Sequence, residues 1–390
     1  MIARLRTPVA LAAGALLLVP LAGCTDSTAP VAGADSNPRV LSVTATETAC
    51  DVSAASAPSG TLTFSVKNAG TRVTEFYLLA ADGLRILGEV ENIGPGLTRD
   101  LVLTAAPGTY TAACKPGMVG DGIRSSFEVT DSGADTPTGN DKASQDRANA
   151  QYGAYVKDQT EQLLGQTQKF VQHYEAGDDD AARALYPVAR THWERIEPVA
   201  ESFGDLDPEM DLREADLDRG ARWTGWHRIE KDLWPARATN YTPLTAAERR
   251  TYAQNLLKNT TTLYDRTRSI TFTADQIANG AKGLLEEVAS TKVTGEEEYW
   301  SRTDLYDFQA NVDGARVGFE GLQPLLTKKD PTLNTQIETR FADLQKLLDR
   351  HRRGDGFVAY DDLSNPEVKA LAAAVDALSE PLSQLTAAVV

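Results

Sequence analysis

An imidazole and a carboxylate at helical spacing open the chemistry of this chain. In Gly225-Trp-His-Arg-Ile-Glu-Lys231, His227 and Glu230 stand three residues apart. On a helix that interval places both on one face, where they can jointly hold a transition metal. Glu194-Arg-Ile-Glu197-Pro198 repeats the interval with two carboxylates. Like charges that close repel unless a cation or proton lies between them. Further acids crowd Asp211-Leu-Arg-Glu214-Ala-Asp216-Leu-Asp218, read mainly as surface or helix capping. Another run is Thr294-Gly-Glu296-Glu297-Glu298, followed by Asp304 and Asp307, which reads as a loop leading into a helix with acids at its N-terminus.

Histidine is scarce, four in 390 residues, so a metal site here must lean on carboxylates. One histidine with several carboxylates suits ferrous or ferric iron, or another hard divalent ion, better than copper. The sequence has no His-Glu-x-x-His for a zincin, no Gly-x-Ser-x-Gly, no P-loop and no Glu-x-x-His for a di-iron oxidase. Asp+Glu is 55 against Lys+Arg 39, a net charge of −16. That balance repels phosphate backbones, argues against nucleic-acid binding and favours cationic ligands.

Two domains of different texture must position these groups. Residues 39–130 read as short strands. Leu62, Phe64 and Val66 alternate with polar residues, and Asn68-Ala-Gly70, Pro95-Gly96 and Pro107-Gly108 mark turns. The pattern predicts an all-β sandwich. Residues 131–145 have linker composition. Residues 146–390 read as a helical bundle without strands. Leu333, Ile337, Phe341, Leu344 and Leu348 form one apolar stripe, and Val368, Leu371, Val375, Leu378, Leu382 and Leu385 another. Ala246–Ser290 and Thr303–Leu326 are also expected to be helical, with breaks or kinks at Pro198 and Pro381.

Cys50 and Cys114 lie near the two ends of the sandwich sequence. They form either a structural disulfide or part of a metal or redox site. Pro107-Gly-Thr-Tyr-Thr-Ala-Ala-Cys114 is similar to the strand leading to a cupredoxin cysteine. All the histidines lie beyond residue 170, which excludes a blue-copper centre built from this domain. Glu75, Glu89 and Glu91 interrupt or flank apolar runs and are the carboxylates available there, while Met118 reads as a loop residue.

Residues 1–23 read as a leader. Arg4 and Arg6 precede an apolar run from Pro8 to Leu21, too short to span a bilayer. Leu21-Ala-Gly-Cys24 matches a lipobox, so Cys24 is the expected lipidation site, followed by a small, polar tether over 24–38. The expected location is the outer face of the cell membrane, through the lipid anchor.

Taken together, the chain resembles the EfeO family. Glu194-Arg-Ile-Glu-Pro198, Gly225-Trp-His-Arg-Ile-Glu-Lys231, Thr303-Asp-Leu-Tyr-Asp-Phe-Gln-Ala-Asn-Val-Asp-Gly314 and Glu91-Asn-Ile-Gly-Pro-Gly96 carry the likeness, with Cys50, Glu75, Glu89 and Cys114. The resemblance implies a cupredoxin-like domain followed by an imelysin-type helical domain. It implies a non-enzymatic iron-binding lipoprotein that captures Fe2+ or Fe3+ and delivers it to an EfeU-like permease, beside an EfeB-like haem peroxidase. His227, Glu230, Glu194 and Glu197 would be metal ligands, joined by Asp211 and by Glu296 or Glu297. A second metal or redox site would fall on Cys50, Glu75, Glu89 and Cys114, taking iron, copper or another divalent ion. The alternative is a metal-dependent hydrolase of the imelysin or peptidase-like type.

Overall fold

The computed structural model describes residues 37–81, 83, 86–118, 120–133, 139–217, 220–290 and 292–390. The expected leader, Cys24, the tether up to Ser36 and Asp218 lie outside the described residues.

Alternation of apolar and polar residues builds the first half. Its strands are β1 (Val40–Ala45), β2 (Cys50–Val52), β3 (Ser56–Pro58), β4 (Gly60–Asn68), β5 (Thr74–Leu79), β6 (Ile86–Ile93), β7 (Thr98–Ala105), β8 (Gly108–Cys114) and β9 (Ile123–Thr130). They form one sheet in the order β2-β1-β4-β7 and another in the order β3-β9-β8-β5-β6. The β1–β4 and β3–β9 pairs are parallel and the rest antiparallel. Leu62, Phe64 and Val66 point inward from β4, as their period of two requires. Phe64 meets Phe76 and Phe127 of the opposite sheet at ring-centroid distances of 5.3 and 5.4 Å. Cys50 and Cys114 join the two sheets as a disulfide beside these rings. Every residue of β5 is buried, because its outer face, with Glu75, Tyr77 and Leu79, is covered too.

The second half is helical, as expected: α1 (Gly139–Ala176), α2 (Asp179–Glu194), α3 (Leu206–Asp211), α4 (Trp226–Leu233), α5 (Ala246–Thr267), α6 (Ala274–Ser290), α7 (Asp304–Lys329), α8 (Pro331–Leu348), α9 (Asn365–Leu382) and α10 (Leu385–Val389). The whole apolar stripe of α8 is buried, and α9 buries Leu371, Val375, Leu378 and Leu382. Capping boxes at Thr245/Glu248 and Ser364/Glu367 set the starts of α5 and α9. Pro198 falls in a 3-10 segment, Glu197–Phe203, just after α2 ends, and Pro381 sits one residue before the end of α9.

Some expectations need correction. Ala246–Ser290 is two helices with a connection at 268–273. The helical half also holds a short hairpin, β10 (Arg352–Arg353) with β11 (Gly356–Phe357). Its strands are too short to leave a period-two signal. The first helix begins at Gly139, inside the stretch read as linker.

Pro38–Val390 close as one unit, and the seam between its halves is specific. Strand β7 is an edge of its sheet, with backbone groups left to pair. Helix α6 supplies the partners. Asp275 Oδ2 accepts from the Thr104 amide at 2.9 Å, and Asn279 Nδ2 donates to the Val102 carbonyl at 2.8 Å. Arg99 adds an ion pair to Glu286 at 2.9 Å.

Candidate metal centre

Gly225 starts the site. Its φ of +88° is a left-handed value, and a Cβ there would overlap the carbonyl of Met210. Only glycine lets the start of α4 approach the end of α3 so closely, and the approach sets His227 beside Asp211. His227 is 1% exposed. Its Nε2 lies 3.4 Å from Asp211 Oδ1 and 3.3 Å from Glu297 Oε1, while Nδ1 lies 3.3 Å from Glu230 Oε2. Asp211, His227 and Glu297 form a triad able to hold an ion, and His227, Glu230 and Glu298 form an adjoining one.

Glu230 also holds the turn that carries Glu297. Its Oε1 accepts the Trp300 and Ser301 amides at 2.8 and 2.6 Å. Asp211 is fixed by Trp193, whose Nε1 donates to Oδ2 at 2.7 Å. Ser301 Oγ donates to Glu298 at 2.6 Å.

Two buried cations thread the carboxylates. Arg190, wholly buried, ion-pairs with Glu194 and Asp211, with Glu297 at 3.2 Å, Glu298 at 2.6 Å and Asp307 at 3.6 Å. Lys292 Nζ reaches Glu194 Oε2 at 3.1 Å and both Glu197 oxygens at 2.6 and 2.7 Å. Asn311 donates to the same glutamates, at 3.0 Å to Glu194 Oε2 and 2.6 Å to Glu197 Oε2. These contacts need tight packing around residues 195–198. Gly314 of α7 and Gly280 of α6 provide it, since a Cβ at either would overlap the carbonyl of Arg195 or Pro198.

The electrostatics follow from this crowding. Burial and the Arg190 guanidinium push the His227 imidazole down. Its close contacts with Glu230 and Glu297 and the charge of Asp211 outweigh them and raise it to about 9. Burial raises Asp304 to about 7. Burial also lifts Glu298, Asp307 and Glu197 well above the usual carboxylate range, with neighbouring acids adding to it. Glu297 lies well below that range, because Lys292, His227 and Arg190 outweigh its burial. His227 Nε2 and both oxygens of Asp307 are buried without a hydrogen-bond partner. Carboxyl groups outnumber the built-in cations, and hard oxygen donors surround one imidazole. That donor set fits a hard or borderline metal ion.

A cleft of about 660 Å³ between the two halves opens onto Asp211 and Glu297 of the triad. Glu75, Tyr77, Glu89 and Glu91 of the sandwich line one wall, and Asp211, Glu197, Glu287 and Glu297 the other.

Of the residues singled out in the sequence, His227, Glu230, Asp211 and Glu297 come together. Glu296 is exposed and stays out of the cluster. Glu194 and Glu197 do not share a helix, since α2 ends at Glu194, yet Lys292 and Asn311 join them. On the sandwich, Cys50 and Cys114 take the disulfide form that was one of the two expectations for them. The sulfurs of Cys50 and Cys114 are bonded to each other, so neither is a thiolate ligand. Phe76 is the β5 residue paired with Cys114 and packs in the inner core, while Glu75 sits on the outer face, accepting a bond from Tyr77. Glu89, paired with Tyr77, lines the cleft. The other histidines are elsewhere: His173 pairs with Asp178, His192 with Gln159, and His351 follows α8.

Known proteins match along nearly the whole chain. The Imelysin family model matches residues 148–385, and the Cupredoxin-like domain model matches residues 14–124. The Iron uptake system component EfeO of Yersinia pestis is 35% identical over 348 residues, 88% of this chain and 90% of the relative. The Iron uptake system component EfeO of Escherichia coli (strain K12) is 34% identical over 362 residues, 92% of this chain and 93% of the relative. The chain belongs to the EfeO family. The two-domain order expected from the sequence is thereby shown: a cupredoxin-like sandwich, then an imelysin-type helical domain.

Within this EfeO-family chain, sequence reading missed the roles of Arg190 and Lys292. Arg190 left one signal, its i, i+4 spacing to Glu194 on α2. Lys292 left none, because it reaches Glu194 and Glu197 across nearly a hundred residues.

Proposed function

We propose that this protein captures iron outside the cytoplasm and passes it to a membrane permease, acting as a binding protein rather than an enzyme. The observation that carries this reading is the imidazole Nε2 of His227, set between Asp211 and Glu297, two carboxylates that line an acidic cleft. Iron is the cargo. Asp211, His227 and Glu297 would hold it, with Glu230 orienting the ring. Carboxylate and imidazole donors suit ferrous or ferric iron and give copper(I) no soft ligand. Glu75, Glu89 and Glu91 would meet an incoming cation first. The charge of −16 supports cation capture in the same direction.

In this reading residues 1–23 are an export leader and Cys24 carries the lipid. Among the described residues no helix is long and apolar enough to cross a membrane. A lipid anchor would then hold the protein near its permease, with a haem peroxidase as a further partner in the system.

The test is anaerobic titration of the mature protein with Fe(II), and separately with chelated Fe(III), followed by iron uptake in cells carrying the variants. His227→Ala should abolish tight binding and uptake together. Unchanged binding and uptake in that variant would overturn the reading.

A further inference from the structure

Lys292 is 3% exposed, and an ammonium that deeply buried requires partners for all three of its N–H groups. It has them in Glu194 Oε2 and both oxygens of Glu197. A fourth oxygen, Glu297 Oε1, stands at 3.9 Å. That same oxygen is 3.3 Å from His227 Nε2. Besides Arg190, which reaches the same oxygen at 3.2 Å, two cation positions therefore share Glu297. At one are Asp211 and His227. At the other are Glu194, with one oxygen, and Glu197, with two. One shared carboxylate flanked by further carboxylates is how proteins hold two metal ions about 3.5–4 Å apart. Here a side chain of the protein sits in the second position.

We propose that Lys292 is a tethered cation that fills the second ion position of this centre, so that the site takes one metal ion, on His227, and excludes a second. The inference rests on the reading of His227 as a metal ligand. A single positive charge there lies against Glu194 and Glu197 without offering an open coordination position. The centre then binds and releases one ion and cannot run two-metal chemistry on oxygen or water.

Mn(II) is the probe, because a lone ion gives a six-line EPR spectrum and a neighbouring pair gives an exchange-coupled one. The wild-type protein should bind one tight Mn(II) and keep a six-line spectrum in excess metal. Lys292→Met should bind two and show the coupled spectrum. Adding Glu197→Gln to Lys292→Met should return the count to one. A Lys292→Met protein that folds and still binds one ion would sink the proposal. So would a coupled pair in the wild type, a measurement that needs no variant to fold. His227→Ala separates the two readings: retention of the tight ion there refutes the assigned ligand, whatever Lys292 does.

Discussion

Glu230 presents Oε2 to Nδ1 of His227 at 3.3 Å and keeps Oε1 for the amides of Trp300 and Ser301. One carboxylate thus fixes the ring and the turn that faces it, leaving Nε2 toward Asp211 and Glu297. Outer groups of this kind typically contribute 10- to 100-fold in metal affinity. Glu230→Gln should weaken iron binding by roughly that factor, while His227→Ala should cost more. Calorimetric titration of both variants checks the order. Equal losses would make Glu230 a direct ligand.

The imidazole is raised to about 9, so in the metal-free protein at pH 7 it carries a proton on each nitrogen. A metal arriving on Nε2 must expel one. Binding heats measured at pH 7 in buffers of different ionisation enthalpy should report about one proton released per ion from this group. Affinity should rise with pH up to about 9. The stability contribution runs the other way. A folded value above the unfolded ~6.5 means it is fully present below pH ~6.5 and lost as pH rises through about 9. The metal-free melting temperature should therefore fall across that window, and fall less in His227→Gln. Buffer-independent heats at pH 7 would contradict the protonated ring.

Much of the scaffold was legible because burial obeys simple periods. The α8 stripe and the inward residues of β4 read directly from spacing. The hairpin at Arg352–Phe357 did not, having two residues per strand. Glu297 and Glu296 look alike in the sequence. Only the turn after Gly295, at φ +77°, sends one inward and leaves the other exposed. The cations were hidden for a different reason. Arg190 and Lys292 are paired by tertiary approach of α2, α7 and the turn after α6, and no local motif records that.

The disulfide closes a separation of 64 residues. Loop-closure entropy at that length corresponds to about 4 kcal/mol. The Cys50→Ser, Cys114→Ser double variant should lose stability on that scale in urea unfolding. Iron affinity at His227 should stay unchanged, since neither sulfur faces the cleft. A large loss of affinity in a folded double variant would restore a metal role for the cysteines.

Gly280 and Gly283 lie on the same helix and should respond oppositely to alanine. At an open helical position Gly→Ala stabilises by about 1 kcal/mol. Gly283 has no atom near its absent Cβ and should follow that rule. At Gly280 the Cβ would overlap the Pro198 carbonyl, so the sign reverses and the segment carrying Glu197 is displaced. Thermal melts of the two variants give the comparison.

The seam between the halves has its own test. Asp275→Ala leaves the Thr104 amide without its acceptor, a loss of about 1–3 kcal/mol. Limited proteolysis of the variant should then be faster. Unchanged cleavage would mean that α6 does not hold the sandwich in place.

Iron-edge anomalous diffraction from crystals loaded anaerobically with Fe(II) is the most direct measurement. The expected result is one strong peak bounded by Asp211, His227 Nε2 and Glu297, with Lys292 still seated on Glu194 and Glu197. A principal peak on the sandwich wall at Glu75 and Glu89, with His227 unliganded, would contradict the assignment.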